Sequence, residues 1–311
     1  MIVNDLEKNF ISAVVYVHNH EDVILNYLTS IVACLKQHFE NSEVIVVNDD
    51  SSDQTVNIIK KFKQTTSDIS ISIIHLSNFH GVEEAMIAGS DLAIGDFVFE
   101  FDKCHIPLNE TIIMDAYYKC LQGNDVVFVS SNKKGPMLAS AFYRIFNNNV
   151  NQYKIYSDIF KVVSRRGINR INSLYKKIPY RKAVYANCGL HTALLTFDTD
   201  TSLNTYSKDV LNSNIKVGIT SLMLFTNVAF KVAAIITFFM MVVSLLTIVY
   251  VIYDIVQFGV IGSGWASLMA FMAFSFFAVF LLITIILKYL SIMLDLNFKN
   301  RKYLIESIEK L

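Results

Sequence analysis

The sequence has no net charge: 27 basic residues meet 27 acidic ones. That excludes the basic footprint of a general nucleic-acid binder. Its four cysteines, Cys34, Cys104, Cys120 and Cys188, stand far apart with no C-x-x-C pair. This leaves out a disulfide frame and fits reduced thiols in a cytoplasmic compartment. The opening MIVNDLEKNF lacks an apolar core of signal-peptide length and carries acidic residues, so no secretory signal is expected. Internal repeats and low-complexity segments are missing too. Formal charge is absent from two long runs, 22 residues from Val232 to Tyr253 and 33 from Ile255 to Leu287. A helix needs about 20 apolar residues to cross a bilayer. Run length therefore favours two spans, about 230–253 and 265–287, over two buried helices of a soluble protein.

The flanks orient these spans. The connector from Asp254 to Gly264 carries no Lys or Arg, whereas Lys208, Lys216 and Lys231 precede the first span and Lys288, Lys299, Arg301 and Lys302 follow the second. The positive-inside rule then places both termini and the N-terminal domain in the cytoplasm, with the hairpin in the inner (cytoplasmic) membrane. The expected division is a domain over 1–210, a juxtamembrane or interfacial segment over 211–228, a two-helix hairpin over 229–290 and a cytoplasmic tail over 291–311. Small residues at Gly262, Gly264, Ala266 and Ala270 permit association into a homo-oligomer.

The N-terminal two thirds alternate strands with helices. Apolar runs at Ile11–Val17, Glu43–Val47, Ile71–Leu76, Phe97–Phe101 and Asp125–Val129 read as buried strands, and helical patterns lie between them. This predicts an α/β domain with a mostly parallel, Rossmann-like sheet covered by helices on both faces. Beyond Ser130 the reading is a helix over Met137–Val150, a strand within Ile155–Val163, a helix from Arg165 to Tyr175 and short strands between Tyr180 and Phe197. Three strand ends carry polar clusters: His18–Glu21, Asn48–Asp53 and Asp102-Lys103-Cys104. A parallel sheet brings them to one carboxyl edge, where ligands of open α/β sheets bind.

That arrangement, followed by two spans, resembles family 2 glycosyltransferases, in particular the membrane-anchored polyprenyl-phosphate group that includes dolichyl-phosphate mannose synthases and bactoprenol glucosyltransferases. VVNDDSSDQT is similar to the family's VVDDGSxDGT, and AMIAGSDLAIGDFVFEFD to its AxxAGxxxAxGDxVxxxD run. AFYRIFN and FKVVSRR are similar to its FYRxxN and FRLxxRR segments. The resemblance implies a GT-A fold, a nucleotide-sugar donor, a divalent cation (Mg²⁺ or Mn²⁺) on its diphosphate, and inverting transfer to a polyprenyl phosphate or related lipid-linked acceptor. Carried over residue by residue, it points to His18, Asn19, His20, Asp49, Asp50, Asp102 and Lys103 for the donor. Asp102, Asp158, Arg165 and Arg166 would serve catalysis, and Asp102 with Cys104 would hold the metal.

Several positions depart from the pattern. Asn48 and Asp50 replace its first Asp and its Gly, and only Asn19 survives of its Pro-x-Tyr-Asn-Glu. Cys104 stands for the second residue of Asp-x-Asp, a poor ligand for a hard cation. The segment Thr199–Ser207 replaces an Arg-x-x-Gly-x-Ser. Three explanations compete: Lys103 supplies the missing charge, His18, His20 and Cys104 bind a softer metal such as Zn²⁺ or Mn²⁺, or the site is degenerate and the protein acts as a partner or scaffold. A small transporter or channel is disfavoured, because the two spans carry no interior charge to line a path.

Overall fold

A computed structural model describes residues 6–66, 68–104, 109–132, 137–150, 154–174, 180–187, 189–198, 208–258, 265–298 and 303–311. Thr199–Ser207, the connector glycines Gly262 and Gly264, Cys188, Lys299, Arg301 and Lys302 lie outside these residues. So do the side chains of Ala266 and Ala270.

Two compact units result, Met1–Ile219 with Asn300–Leu311, and Thr220–Lys299. The first holds a sheet whose centre is β1 (Ile11–Val17), β2 (Ser42–Asn48) and β4 (Phe97–Phe101), with β3 (Ser70–Leu76) beyond β2. Across the sheet the order is β7-β5-β6-β4-β1-β2-β3-β8, where β5 is Val126–Ser131, β6 Phe160–Ser164, β7 Thr192–Phe197 and β8 Ile305–Lys310. Strands β1 to β5 and β7 run one way; β6 and β8 run against them. The mostly parallel α/β class is as expected from the sequence.

Strands β1, β2, β4, β5 and β6 form because they are rich in β-branched or aromatic residues and buried on both faces. Every residue of β1 is buried, and helices on either side close over the sheet. Helix α1 (Ile24–His38) turns Ile24, Leu28, Ile31, Val32 and Leu35 inward on one stripe. Helices α2 (Thr55–Thr65) and α4 (Glu110–Leu121) lie in the other early crossovers. Helix α3 (Val82–Leu92) approaches β1 and β2 so closely that a Cβ on Gly89 would sit 2.2 Å from Val14 Cγ1 and 2.8 Å from Val47 Cγ2. Only glycine allows that contact, which seats α3 directly against β1 and β2.

The second half departs from expectation in three places. The stretch Ile155–Asp158 is irregular, and β6 begins only at Phe160. Between Tyr180 and Phe197 a short helix, α7 (Arg181–Asn187), precedes β7, where only strands were expected. And the expected tail is no free tail, because β8 adds an antiparallel strand to the edge at β3. Helices α5 (Met137–Asn148) and α6 (Arg165–Leu174) match the sequence reading closely.

Helix α8 (Lys208–Phe225) leads into the second unit, which is α9 (Val228–Phe258) and α10 (Trp265–Phe298). Both are long and apolar enough to cross a membrane, through Val228–Tyr250 and Phe274–Met293. None of the first window is buried and 11% of the second. Large apolar side chains such as Phe238, Leu245, Ile248, Phe277 and Ile286 face outward. A core helix of a water-soluble protein would bury such a stripe.

Candidate active site

The parallel neighbours β2, β1 and β4 end side by side, with Val17 opposite Asn48 and Val15 opposite Phe101. Their C-terminal loops bring Asn19, Asp49 and Asp102 to one edge of the sheet, as the sequence predicted. The first two loops interlock. Asn19 N–H donates to Ser51 Oγ at 3.1 Å, Ser52 N–H to Asn19 Oδ1 at 2.8 Å, Glu21 N–H to Asp53 Oδ2 at 3.0 Å and Gln54 N–H to Glu21 Oε2 at 2.8 Å. His20 N–H donates to Thr55 Oγ1 at 2.8 Å, tying the first loop to the start of α2. Asn19 and Asp50 both adopt left-handed backbone, with φ of 54° and 58°. Asn and Asp tolerate that region best after glycine, so Asp50 makes the turn at a position where the family pattern has Gly.

Asp49 is wholly buried. Its carboxylate accepts from His80 N–H at 2.7 Å, Gly81 N–H at 2.8 Å and the Tyr16 hydroxyl at 3.1 Å, and its carbonyl pairs with His18 Nδ1 at 2.6 Å. Burial raises its carboxyl above the ordinary value, while the donors and His18 pull back the other way. In this geometry Asp49 holds the turn that opens α3, and the exposed surface above it belongs to Asn19, Asp50 and Ser52.

The third strand end sits over a buried ion cluster that sequence reasoning largely missed. On the antiparallel β4–β6 ladder Glu100 faces Lys161, and opposite charges directly across a ladder attract. Lys161 Nζ lies 2.7 Å from Asp102, 3.2 Å from Asp158 and 3.5 Å from Glu100. Arg181, at the start of α7, reaches Asp102 at 2.9 Å, Glu100 at 2.5 Å and Glu83 at 3.1 Å. Lys182 pairs with Asp158, and Lys103 Nζ donates to the Asp158 carbonyl at 2.9 Å. Glu100 also accepts from the Tyr185 and Ser90 hydroxyls. Four carboxylates, Glu83, Glu100, Asp102 and Asp158, are thus matched by Lys103, Lys161, Arg181 and Lys182.

The cluster sets the charge states. Burial alone would raise Asp102, but Arg181, then Lys161 and Lys182, outweigh it and hold the carboxyl well below the usual range. Asp158 is lowered in the same way, its burial outweighed by Lys161 and Lys182. Burial works against the Arg181 and Lys182 cations, yet their carboxylates keep both firmly protonated. Lys103 goes the other way: burial and the Lys182 charge lower it. Lys103 and Glu83 are the half-buried members of the cluster, whereas Asp102 and Lys182 are buried.

The residues expected to hold a divalent cation do not fit one. Both Asp102 oxygens are taken, one by Arg181 and one by Lys161. Cys104 lies in the hydrophobic core, and burial pushes its thiol up to about 12, so it stays protonated and ligates poorly. Among the described residues no group of three His, Cys, Asp or Glu side chains is placed to hold a metal, which removes the His18, His20 and Cys104 set as well.

The expected role of Arg165 and Arg166 also needs correction. Strand β6 is antiparallel, so its Phe160 end lies beside Phe101 and its Ser164 end beside Phe97. That puts the two arginines at the opposite edge of the sheet, with Arg165 level with Asp96, roughly 20 Å of strand from Asp102 at about 3.3 Å per residue. Arg165 donates to the carbonyls of Ala93 and Gly95, and Arg166 pairs with Asp125. Asp158 does join Asp102, through their shared Lys161. A signal for the missed partners was present: Glu100 inside FVFEF and Lys161 inside FKVVS are charges within apolar strands, which require buried partners.

Residues 12–112, the span from β1 to the start of α4, match the model described as Glycosyl transferase family 2. That part of the first unit is thus similar to a family 2 glycosyltransferase domain. The mostly parallel sheet and the site at its carboxyl edge agree with the GT-A layout that this family implies. The chain is 24% identical over 291 residues to an uncharacterized glycosyltransferase, YkcC, of Bacillus subtilis (strain 168), covering 91% of this chain and 89% of the relative. It is 25% identical over 272 residues to the bactoprenol glucosyl transferase of Shigella phage SfV, covering 83% and 86%. Among solved structures, the mannosyltransferase PcManGT from Pyrobaculum calidifontis, in complex with GDP-Man and Mn²⁺, aligns with a TM-score of 0.48 at 16% identity, over 64% of this chain and 59% of that one.

Proposed function

We propose that this glycosyltransferase is anchored in the inner membrane by α9 and α10 and moves a sugar, with inversion, from a nucleotide-sugar donor to a polyprenyl phosphate or related lipid-linked acceptor. One observation carries the reading: in a family 2-like domain, the loops bearing Asn19, Asp49 and Asp102 converge on one sheet edge, and two outward-facing apolar helices follow. The bactoprenol glucosyl transferases among the relatives support the lipid acceptor. The lysines and arginines flanking the spans support cytoplasmic placement of the domain and both termini.

The chemistry asks little of a base. A phosphate nucleophile is already ionised at neutral pH, and the developing negative charge on the leaving diphosphate needs compensation. Lys103, the half-buried cation of the cluster, is placed to supply it. Asp102 fixes Arg181 and Lys161 and so holds in place the loop that carries Lys103. The Asn19–Ser52 and Asp49–Gly81 contacts shape the wall for the nucleoside.

A second reading, a non-catalytic partner that keeps the fold, is favoured by the complete internal pairing of Asp102. The same experiment decides between them. Membranes containing the chain and polyprenyl phosphate are given radiolabelled UDP-glucose, UDP-GlcNAc or GDP-mannose, and label in the lipid fraction is counted. Transfer from one donor, abolished by Asp102→Ala, is the expected result. No transfer, with no calorimetric binding of any donor, establishes the second reading instead.

A further inference from the structure

The last nine residues return to the sheet beside the donor-site loops. Strand β8 pairs with β3 from Ser72↔Lys310 to Leu76↔Ile305, Leu311 N–H donates to the Ile71 carbonyl at 3.0 Å, and Lys60 meets Glu309 at 2.7 Å. The residues just before the strand reach further. Ser77 N–H donates to the Leu304 carbonyl at 3.0 Å, and the Tyr303 hydroxyl donates to Asp91 Oδ2 at 2.8 Å. Leu304 N–H points at His80 Nε2, 3.2 Å away.

His80 connects the two sides. Its Nδ1 lies 2.6 Å from the Asn78 carbonyl, an acceptor only, so the ring proton is on Nδ1 and Nε2 is left to accept from Leu304. From the inner side its N–H and that of Gly81 hold the Asp49 carboxylate. Phe79 lies against His18 with ring centroids 4.6 Å apart. Residues 77–81 are therefore gripped by Asp49 and His18 on one side and by Leu304 on the other, while Tyr303 ties the same C-terminal segment to Asp91 of α3. Among the described residues, the hydrogen bond that reaches His80 Nε2 comes from Leu304.

We propose that residues 303–311 are a positioning element of the nucleotide-sugar site, holding the 77–81 turn in its donor-binding shape. The inference rests on the reading of that edge as the donor site. It has a consequence for assembly: these residues follow both apolar helices in the chain, so the donor wall is complete only after the hairpin has been made and its far end has come back. A strand paired to β3 also requires the C-terminus and the N-terminal domain to share one side of any membrane that α9 and α10 cross.

The test uses detergent-purified full chain, a variant ending at residue 302, and full-length Leu304→Pro, which removes the N–H offered to His80. Donor affinity is measured by calorimetry with UDP-glucose, UDP-GlcNAc and GDP-mannose, and amide exchange is followed at His80 and Gly81. The expected result is tenfold or greater weakening of donor binding in both variants, faster exchange at His80 and Gly81, and recovery of the shortened chain on adding a peptide of residues 303–311. Leu304→Pro guards against the chance that the shortened chain fails to fold. Affinity within twofold of the full chain in Leu304→Pro, with unchanged exchange at His80 and Gly81, overturns the proposal. If the intact chain binds no donor, the functional reading has failed separately, and exchange at those two amides alone decides the inference.

Discussion

Replacing Arg181 by methionine tests the ion cluster most directly. Methionine keeps much of the apolar stem's packing and removes the guanidinium from Glu83, Glu100 and Asp102. Lys161 remains on Asp102 and Glu100, so the variant leaves a buried cluster with one negative charge in excess. Breaking a buried pair by removing one partner costs about 3–5 kcal/mol. For a unit of this size each kcal/mol moves Tm by about 2–4 °C, so the expected drop is about 6–20 °C. The pH dependence has a definite sign. In the folded protein Asp102 lies below its unfolded value, so its contribution is complete above an unfolded pKa of about 3.9 and is lost as pH falls through the folded value. Without Arg181 the excess charge is relieved by protonation, so the Tm gap between the two proteins narrows as pH drops toward about 4. Thermal scans in detergent from pH 7.5 to 4 measure both effects. Adding Glu100→Gln to the variant should recover part of the loss, since it deletes one unpaired carboxylate. A Tm drop under about 2 °C at pH 7.5, or no recovery in the double variant, refutes this account of the cluster.

Asp49→Asn puts an amide NH₂ in place of one of the two carboxylate oxygens that accept from the His80 and Gly81 N–H groups. A buried mismatch of that kind costs about 1–3 kcal/mol, and donor KM should rise at least tenfold, read from initial rates against donor concentration. Arg166→Ala and Arg165→Ala should leave turnover per folded molecule unchanged, because both guanidiniums act at the far edge of the sheet. Arg165→Ala alone should lower Tm, since it strips hydrogen bonds from Ala93 and Gly95. Loss of kcat in either variant would return these arginines to the catalytic machinery.

What could be read from the sequence follows from how local each signal is. Strands β1 and β2 are continuous β-branched runs ended by polar clusters, and that pattern alone placed Asn19, Asp49 and Asp102 on one edge. The direction of β6 has no local signature. Only the β4–β6 pairing shows that FKVVSRR runs backward, which moves Arg165 and Arg166 away and brings Lys161 in. Helix α7 was hidden because Ala183-Val184-Tyr185-Ala186 is as strand-like as it is helical. Its helical form is favoured by tertiary contacts that draw Arg181, Lys182 and Tyr185 onto carboxylates and a phenol from other segments. Strand β8 gives no two-fold pattern, because nearly all of it is exposed and it is held by backbone pairing to β3 with ion pairs from Glu309 rather than by an apolar face. The cluster itself draws on positions 83, 100, 102, 103, 158, 161, 181 and 182, and no spacing rule joins them.

Cys104 links the sequence pattern to this cluster. In the family pattern the residue two after Asp102 is a second aspartate, yet here the side chain at 104 enters the apolar core near Tyr16 and Tyr27. A small thiol suits that position; a carboxylate would be buried without a cation and would be forced to take up a proton. Cys104→Asp should therefore destabilise the first unit, with a Tm several degrees below that of the parent chain. Adding Mn²⁺ to the variant should neither restore that Tm nor raise turnover, because the neighbouring Asp102 oxygens remain on Arg181 and Lys161. The parent chain should transfer sugar equally well with and without a chelator if Lys103 supplies the compensating charge. A Cys104→Asp protein that Mn²⁺ stabilises by several degrees would mean the position can turn toward Asp102, and the case against a metal at this strand end would collapse.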